Sequence, residues 1–503
     1  MGVQQNTDLG KEYIKIFYGN QNLSPTKIQN FLISHFWLIM IGIAMEGFYF
    51  CYLLRDFPLW SNYQKLTDMG IINNYSYTGF MAFLLVFSLL FALLVLAQRL
   101  VYAHQDKATL YLIMGFGLLF SCTLVLVYPI NAIDIFGYIA ESRVLILYHA
   151  DPLIVAPAVY IHDPLMQSLG SFVGTPAPYG PLGILIAAIA TLFSGSNLLT
   201  NLLLLKVLSA LFLVSSSYLI YKIVAYYKPA MALTCTIFMV WNPYMLLEFV
   251  VNSHNDIIMI FFLLLAILLF VNNKHHMVFA LLLSSLLVKY ASGLLLPLFI
   301  INALFYYQSA KERLKYLFFI CIETLIILGI LVLPFWRGTQ TFSSLSTTAQ
   351  GFLYSFAMFL NNFSAMKVTF DQSKTIGIGV FGMFYLYALW LASRNSSGVL
   401  LGSFMSMFAL LAFAITYVQP WYLLWACIPT LLMPRKWFQQ IALLLTYAAT
   451  LIELVHPYVW PWGAYQNANG YAIMNSIVYL LLFAPTLFLL IDNAIASLSV
   501  RAY

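Results

Sequence analysis

Residues 77–98 read YTGFMAFLLVFSLLFALLVLAQ, a run that contains no charged side chain. A helix rises about 1.5 Å per residue and needs about 20 apolar residues to cross the hydrocarbon of a bilayer. This stretch therefore predicts a transmembrane helix.

The rest of the chain has the same character. It is 62% hydrophobic and only 8% charged over 503 residues, whereas soluble domains carry about 25% charged residues. The composition excludes a soluble globular protein and predicts an all-α, polytopic transmembrane helix bundle of about 14 spans. The predicted spans are 30–53, 77–98, 109–128, 199–224, 231–250, 256–273, 277–291, 292–307, 316–335, 375–393, 399–417, 420–433, 437–455 and 471–491.

The distribution of Lys and Arg predicts the topology. Most of the 23 basic residues fall on one side if both termini are cytoplasmic, as the positive-inside rule requires. The apolar run 181–193 is too short to span, so we expect a re-entrant or surface-lying helix on the outer face. The prediction is a cytoplasmic segment 1–28 and a single transmembrane domain 29–503, with extracytoplasmic loops 129–198, 336–374 and 456–470.

The first long outer loop carries acidic residues at helical spacing. Asp134, Tyr138 and Glu141 stand at positions i, i+4 and i+7, so a helix would place them on one face, with Ile135 and Ile139 opposite. This pattern predicts an amphipathic juxtamembrane helix. A solvated polar face is the simpler interpretation, but an ionisable group held at the lipid boundary is a functional candidate.

A second polar cluster follows the predicted fifth span. Glu248, His254, Asn255 and Asp256 lie near the predicted outer membrane face, where burial shifts pKa values and a base or ligand could act. A single buried histidine is more often a satisfied core residue. The neighbouring Asn255 and Asp256 favour a functional cluster.

Lys289 interrupts a long apolar stretch. An unpaired ammonium is costly in a membrane, so Lys289 needs an anion, either Asp256 or Glu248 within the fold or the phosphate of a lipid-linked substrate. Snorkelling of the side chain to the interface is the alternative.

Two further motifs lie on the predicted outer face. Tyr179 lies in a turn rich in proline and glycine, and Gln419, Trp421 and Tyr422 open a predicted span. Interfacial aromatic residues usually form a belt, so the functional interpretation of this second motif rests on Gln419. The sequence contains no phosphate-binding glycine loop and no zinc-binding helix motif.

The order of these motifs, from Asp134 through Tyr179, His254 and Lys289 to Tyr422, resembles that of GT-C polytopic glycosyltransferases. The nearest resemblance is to bacterial mannosyltransferases that use a polyprenyl-phosphate sugar, over residues 110 to 430. It implies an active site on the extracytoplasmic face and Asp134 as the catalytic general base.

The resemblance further implies inverting transfer from a polyprenyl-phosphate donor to a glycan or glycolipid acceptor, in contact with membrane lipid and without nucleic acid. We expect no cofactor, although Mg²⁺ or Mn²⁺ held by Asp134, Glu141, His254 and Asp256 is an alternative. A transporter or flippase and a polyprenyl-diphosphate glycan polymerase or ligase remain alternative functions. The substrate-binding residues expected beside Asp134 are Tyr138, Glu141, Arg143, Tyr179, His254, Asn255, Asp256, Lys289, Gln419, Trp421 and Tyr422, with Lys289 and Arg143 facing the leaving phosphate.

Overall fold

A computed structural model describes residues 25–64, 66–169, 173–342, 352–363, 368–433, 435–464 and 468–501. Most of the predicted cytoplasmic segment 1–28 therefore lies outside the described residues. Within them the regular structure is helical, apart from three isolated bridges. The longer helices are α1 (Pro25–Phe48), α2 (Tyr77–Tyr102), α3 (Lys107–Leu124), α4 (Asp134–Ile146), α5 (Pro181–Ser194), α6 (Leu198–Tyr227), α7 (Pro229–Trp241), α8 (Asp256–Val271), α9 (His275–Val288), α10 (Leu296–Tyr306), α11 (Ala310–Leu331), α12 (Phe356–Phe363), α13 (Phe370–Arg394), α14 (Ser396–Ala409), α15 (Leu423–Leu431), α16 (Lys436–Ile452) and α17 (Ala468–Arg501).

Short helical segments and π-helical turns connect these helices, and several of them shape the site described below. The short segments are Leu59–Asn62, Met69–Ile72, Pro157–Tyr160, Pro164–Leu169, Pro243–Leu246, Tyr290–Leu295, Leu333–Phe335, Gln340–Phe342 and Pro420–Tyr422. The π-helical segments are Tyr49–Leu54, Leu247–Val251, Leu410–Ala414 and Val455–Ala464.

The all-α, multi-pass architecture is confirmed, but the count of about 14 spans is not. In the described part of the chain, nine helices are long and apolar enough to cross a membrane, and α7 with the bent segment Pro243–Val251 makes a tenth. The predicted spans 256–273 and 277–291 correspond to α8 and α9, which have 16 and 14 residues. At about 1.5 Å per residue such helices reach only about 21–24 Å, short of the hydrocarbon thickness.

Helix α7 forms the centre of the bundle. Each residue from Met231 to Trp241 is buried, because α2, α3 and α6 pack around it. The indole Nε1 of Trp241 donates a hydrogen bond to the carbonyl of Ile113 at 2.9 Å. At the C-terminal end of this buried helix the chain bends by 45° into Pro243–Val251.

Helix α4 forms where the acidic spacing predicted a helix, but its surroundings differ from the prediction. Ile135 and Ile139 are fully buried, and Glu141 and Arg143 on other faces are buried as well. α4 packs against α5, which covers it on the side expected to face water. The predicted amphipathic juxtamembrane helix is therefore an internal helix, packed between other parts of the chain.

A close approach of backbones joins the segment before α5 to the end of α9. The amide of Gly180 donates a hydrogen bond to the carbonyl of Val288 at 3.1 Å. A Cβ atom at Gly180 would collide with the backbone of Leu287, so glycine is required here. The contact places Tyr179 next to Lys289, which follows the end of α9.

Candidate active site

A cavity of about 620 Å³ lies where α4, the Pro420–Tyr422 turn and the C-terminal end of α16 meet. Its volume is within the range of ordinary ligand pockets. Six of the predicted site residues line it, namely Asp134, Glu141, Tyr179, Gln419, Trp421 and Tyr422. Tyr138 and Asn255 line a much smaller apolar cavity that shares Glu141 and Tyr179 with the large one.

Asp134 is the first residue of α4, a position where the helix dipole stabilises a carboxylate. Its side chain is 26% exposed and faces the cavity. The hydroxyl of Tyr179 donates a hydrogen bond to Oδ1 at 3.4 Å, and His254 Nδ1 lies 3.8 Å from Oδ2. Asp134 is thus held from two sides and remains open to a ligand.

Glu141 also reaches the cavity, but its chemistry is different. The carboxyl group is buried, and desolvation together with the nearby Asp134 raises its pKa well above the ordinary range. A protonated carboxyl group donates a hydrogen bond and does not accept a proton as a base. Of these two neighbouring acids, only Asp134 is suited to general-base catalysis.

His254 lies behind Asp134 in the turn between Val251 and α8. Its ring stacks on Trp421 with 4.3 Å between ring centroids, and Nε2 is 3.1 Å from Glu248 Oε2. Burial lowers the pKa of His254, but the carboxylates of Glu248 and Asp134 outweigh burial, and the pKa rises above its ordinary value. The carboxylates around His254 therefore favour its protonated form beside Asp134.

Lys289 finds its anion within the fold. Its Nζ atom lies 2.9 and 2.8 Å from the two carboxylate oxygens of Asp256, which is fully buried. The indole N–H of Trp425 donates to the same carboxylate, and the ammonium lies 5.0 Å from the ring centroid of Tyr422. Of the two internal partners that the sequence left open, the structure has Asp256.

Arg143 does not join this group. Its guanidinium lies 2.6 Å from Asp163, which also accepts a hydrogen bond from Tyr148 at 2.8 Å. All of these atoms belong to α4 and the segment that follows it, and Arg143 is buried and absent from the cavity lining. The expectation that Arg143 faces a phosphate is not met, because its charge is taken up by an internal ion pair.

The alternative metal site is not assembled either. Among the described residues, no three His, Cys, Asp or Glu side chains come close enough together to hold one ion. Asp256 is paired with Lys289, and Glu141 is buried with a raised pKa. Of the four residues considered for Mg²⁺ or Mn²⁺, Asp134 and His254 lie side by side, whereas Asp256 is directed to Lys289.

The site contains residues that the sequence did not single out. Asn131 donates to Glu248 at 3.2 Å and accepts from Asn252 at 2.7 Å, so it ties the start of the loop to the His254 turn. Glu453 and Trp460 line the cavity from the C-terminal side. Glu453 interrupts an apolar span, and this signal could have identified it, as it did Lys289.

Comparison with known protein families identifies the family of this chain. Residues 38–305 match a family model described as "Alpha-(1->6)-mannopyranosyltransferase, N-terminal domain", and residues 345–484 match the MptB C-terminal domain. No curated protein matches the chain. The resemblance predicted from the order of the motifs is confirmed. The chain belongs to the alpha-(1->6)-mannopyranosyltransferase family and is a multi-pass membrane mannosyltransferase.

Proposed function

We propose that this mannosyltransferase takes mannose from a polyprenyl-phosphate donor on the extracytoplasmic face, inverts the anomeric centre, and uses Asp134 as the general base. The acceptor is a glycan or glycolipid on the same face. The observation that carries the proposal is the position and exposure of Asp134. It is a partly exposed carboxylate in the cavity, while the neighbouring Glu141 is buried with a raised pKa.

The proposed step is a single displacement. A carboxylate oxygen of Asp134 takes the proton of an acceptor hydroxyl as that oxygen forms a bond to the anomeric carbon of mannose. The bond between this carbon and the phosphate oxygen breaks, and polyprenyl phosphate leaves with the electron pair. General-base assistance of this kind contributes about 10²–10⁴-fold to the rate. Since inversion produces the α-linkage named by the family, the donor sugar is β-linked.

The charges around the cavity support a donor with one phosphate. Lys289 lies beside Tyr179 and Tyr422, and His254 lies beneath Trp421, so two cationic groups border the cavity wall. Each is already balanced in part, Lys289 by Asp256 and His254 by Glu248. Because each of these two groups already has a carboxylate partner, little net positive charge is left, and this suits one leaving phosphate better than the more highly charged diphosphate.

Topology supports the sidedness. With cytoplasmic termini, the loop that contains Asp134 lies on the extracytoplasmic side and most Lys and Arg residues lie inside. A polyprenyl chain stays in the bilayer, so a transferase that uses it needs its reacting groups near the lipid boundary. An outer loop folded onto the ends of membrane helices meets this requirement.

The test is donor selection by the purified protein in proteoliposomes. Equal amounts of labelled polyprenyl-phosphate mannose, GDP-mannose and a polyprenyl-diphosphate oligosaccharide are offered with an alkyl glycoside of α-(1→6)-linked dimannose as acceptor. We expect mannose transfer from the first donor alone. Transfer from either of the others, or transport of donor lipid without transfer, contradicts the proposal.

A further inference from the structure

The cavity has a second wall, which the reaction step described above does not use. It is formed by the C-terminal part of the chain and is called the C-terminal wall here. Its members are Tyr354, Glu453, His456, Trp460 and Tyr471.

A π-helical segment builds the centre of this wall. Val455–Ala464 is wound more widely than an α-helix, and it places both His456 and Trp460 on the cavity. π-Helical segments occur often at functional sites. Glu453 is the residue that caps the C-terminal end of α16, and the π-helical segment begins two residues later, so three lining side chains lie within eight residues of chain.

The aromatic rings of the wall support one another. The ring of Trp460 lies 4.7 Å from that of His456 and 6.2 Å from that of Tyr471, with the Tyr471 ring inclined by only 26°. The hydroxyl of Tyr471 donates a hydrogen bond to the carbonyl of Phe352 at 3.0 Å. The indole is therefore held in place before any ligand arrives, which reduces the entropy lost on binding.

The wall suits an uncharged ligand. None of the five members of the C-terminal wall is Lys or Arg, and Glu453 adds an acidic group that is 5% exposed. Glu453 accepts a hydrogen bond from the hydroxyl of Tyr244 at 3.0 Å and has further acceptor capacity. A phosphate would meet no cation on this side, whereas the hydroxyl groups of a sugar would find hydrogen-bond partners.

We propose that the C-terminal wall is the binding site for the acceptor saccharide. A neutral sugar packs its C–H face on the indole of Trp460, and its hydroxyl groups reach Glu453 and His456. The reacting hydroxyl then points across the cavity toward Asp134, while the lipid phosphate stays on the side of Lys289 and His254. This inference rests on the proposed function and extends it to the second substrate.

The test separates the two substrates kinetically. Trp460→Ala removes the platform, and steady-state rates are measured with labelled polyprenyl-phosphate mannose and the alkyl dimannoside, each varied at a saturating level of the other. We expect the KM for the dimannoside to rise about fivefold to tenfold, where tenfold corresponds to about 1.4 kcal/mol, the upper end of the range for an aromatic contact. The KM for the donor should stay unchanged. Trp460→Phe keeps a ring and should raise the acceptor KM by less.

The matched control is Trp462→Ala in the same π-helical segment. Trp462 does not line the cavity; it stacks on Tyr77 at 4.3 Å and its N–H donates to the carbonyl of Tyr75 at 2.7 Å. The control should leave the acceptor KM unchanged. Thermal unfolding in detergent identifies any variant that has lost its fold, and Trp460→Phe then provides the comparison.

The outcomes are distinguishable. If the wild-type protein transfers no mannose from the monophosphate donor, the proposed function fails. If the wild type is active but the Trp460 variants keep a normal acceptor KM, or raise the donor KM instead, the C-terminal wall is not the acceptor site and the proposed function stands.

Discussion

The ion pair between Lys289 and Asp256 allows a quantitative test of how the site is held together. Asp256 is fully buried and Lys289 is 12% exposed, with 2.8 Å between Nζ and the nearer carboxylate oxygen. At an effective dielectric constant of about 20, two charges at this distance attract each other by about 6 kcal/mol before desolvation is counted. Removing one partner of a buried pair costs about 3–5 kcal/mol, because the other charge is left uncompensated.

We therefore predict that Lys289→Met lowers the free energy of unfolding by about 3 kcal/mol or more. Asp256→Asn strands the ammonium in the same way, although the asparagine oxygen can still accept from Trp425. The double variant Lys289→Met/Asp256→Asn has no stranded charge and should recover most of this loss. The assay is equilibrium unfolding in mixed micelles of dodecyl maltoside and SDS, followed by tryptophan fluorescence.

A double-mutant cycle on Lys289 and Asp256 measures the interaction energy between the two charges. Residues in direct contact show interaction energies of about 0.5–3 kcal/mol, and for this pair we expect a value at the upper end. If the two single losses add in the double variant within about 0.5 kcal/mol, the two charges do not depend on each other and the reasoning is refuted.

Three further predictions concern the surroundings of the site. Burial raises the pKa of Asp163, but hydrogen bonds from Arg143 and Tyr148 outweigh burial and lower the pKa below its ordinary value of 3.8. The ionised Asp163 therefore stabilises the fold above pH 3.8, and this stability is lost as the pH falls through the lower pKa of the folded state. Thermal unfolding should show a decline below about pH 4 that is weaker in Asp163→Asn, and equal declines would contradict it. Trp421→Leu removes the ring stacked on His254 and should lower turnover about tenfold, whereas an unchanged turnover would show that the stacking has no catalytic role. Excess EDTA should leave turnover unchanged; a loss that Mg²⁺ restores would show that a metal is required.

Ionisable residues in apolar surroundings were the most informative feature of the sequence. A charge near lipid is costly unless it has a partner or a function, and this rule selected Asp134, His254, Asp256 and Lys289. The structure brings all four to one side of the bundle. Trp421 was selected only by its position at a predicted boundary. Its stacking on His254 depends on two segments far apart in sequence, which no local pattern reveals.

Other features could not be predicted, for physical reasons. Hydropathy indicated the break near Tyr290–Leu295 between α9 and α10, but it could not show that the helices on either side are too short to be ordinary spans. A polar face at helical spacing looks solvated in sequence, yet α5 covers α4 and buries Glu141. The partner of Arg143 is Asp163, twenty residues further on, and only the folded loop brings them together.

The central claim is that Asp134 removes the proton of the acceptor hydroxyl. Asp134→Asn preserves the shape of the side chain and its hydrogen bond from Tyr179 but cannot accept the proton. Turnover of polyprenyl-phosphate mannose by this variant, at saturating acceptor and with normal unfolding behaviour, should fall by about 10²–10⁴-fold. A variant that folds normally and retains near wild-type turnover would contradict the assignment.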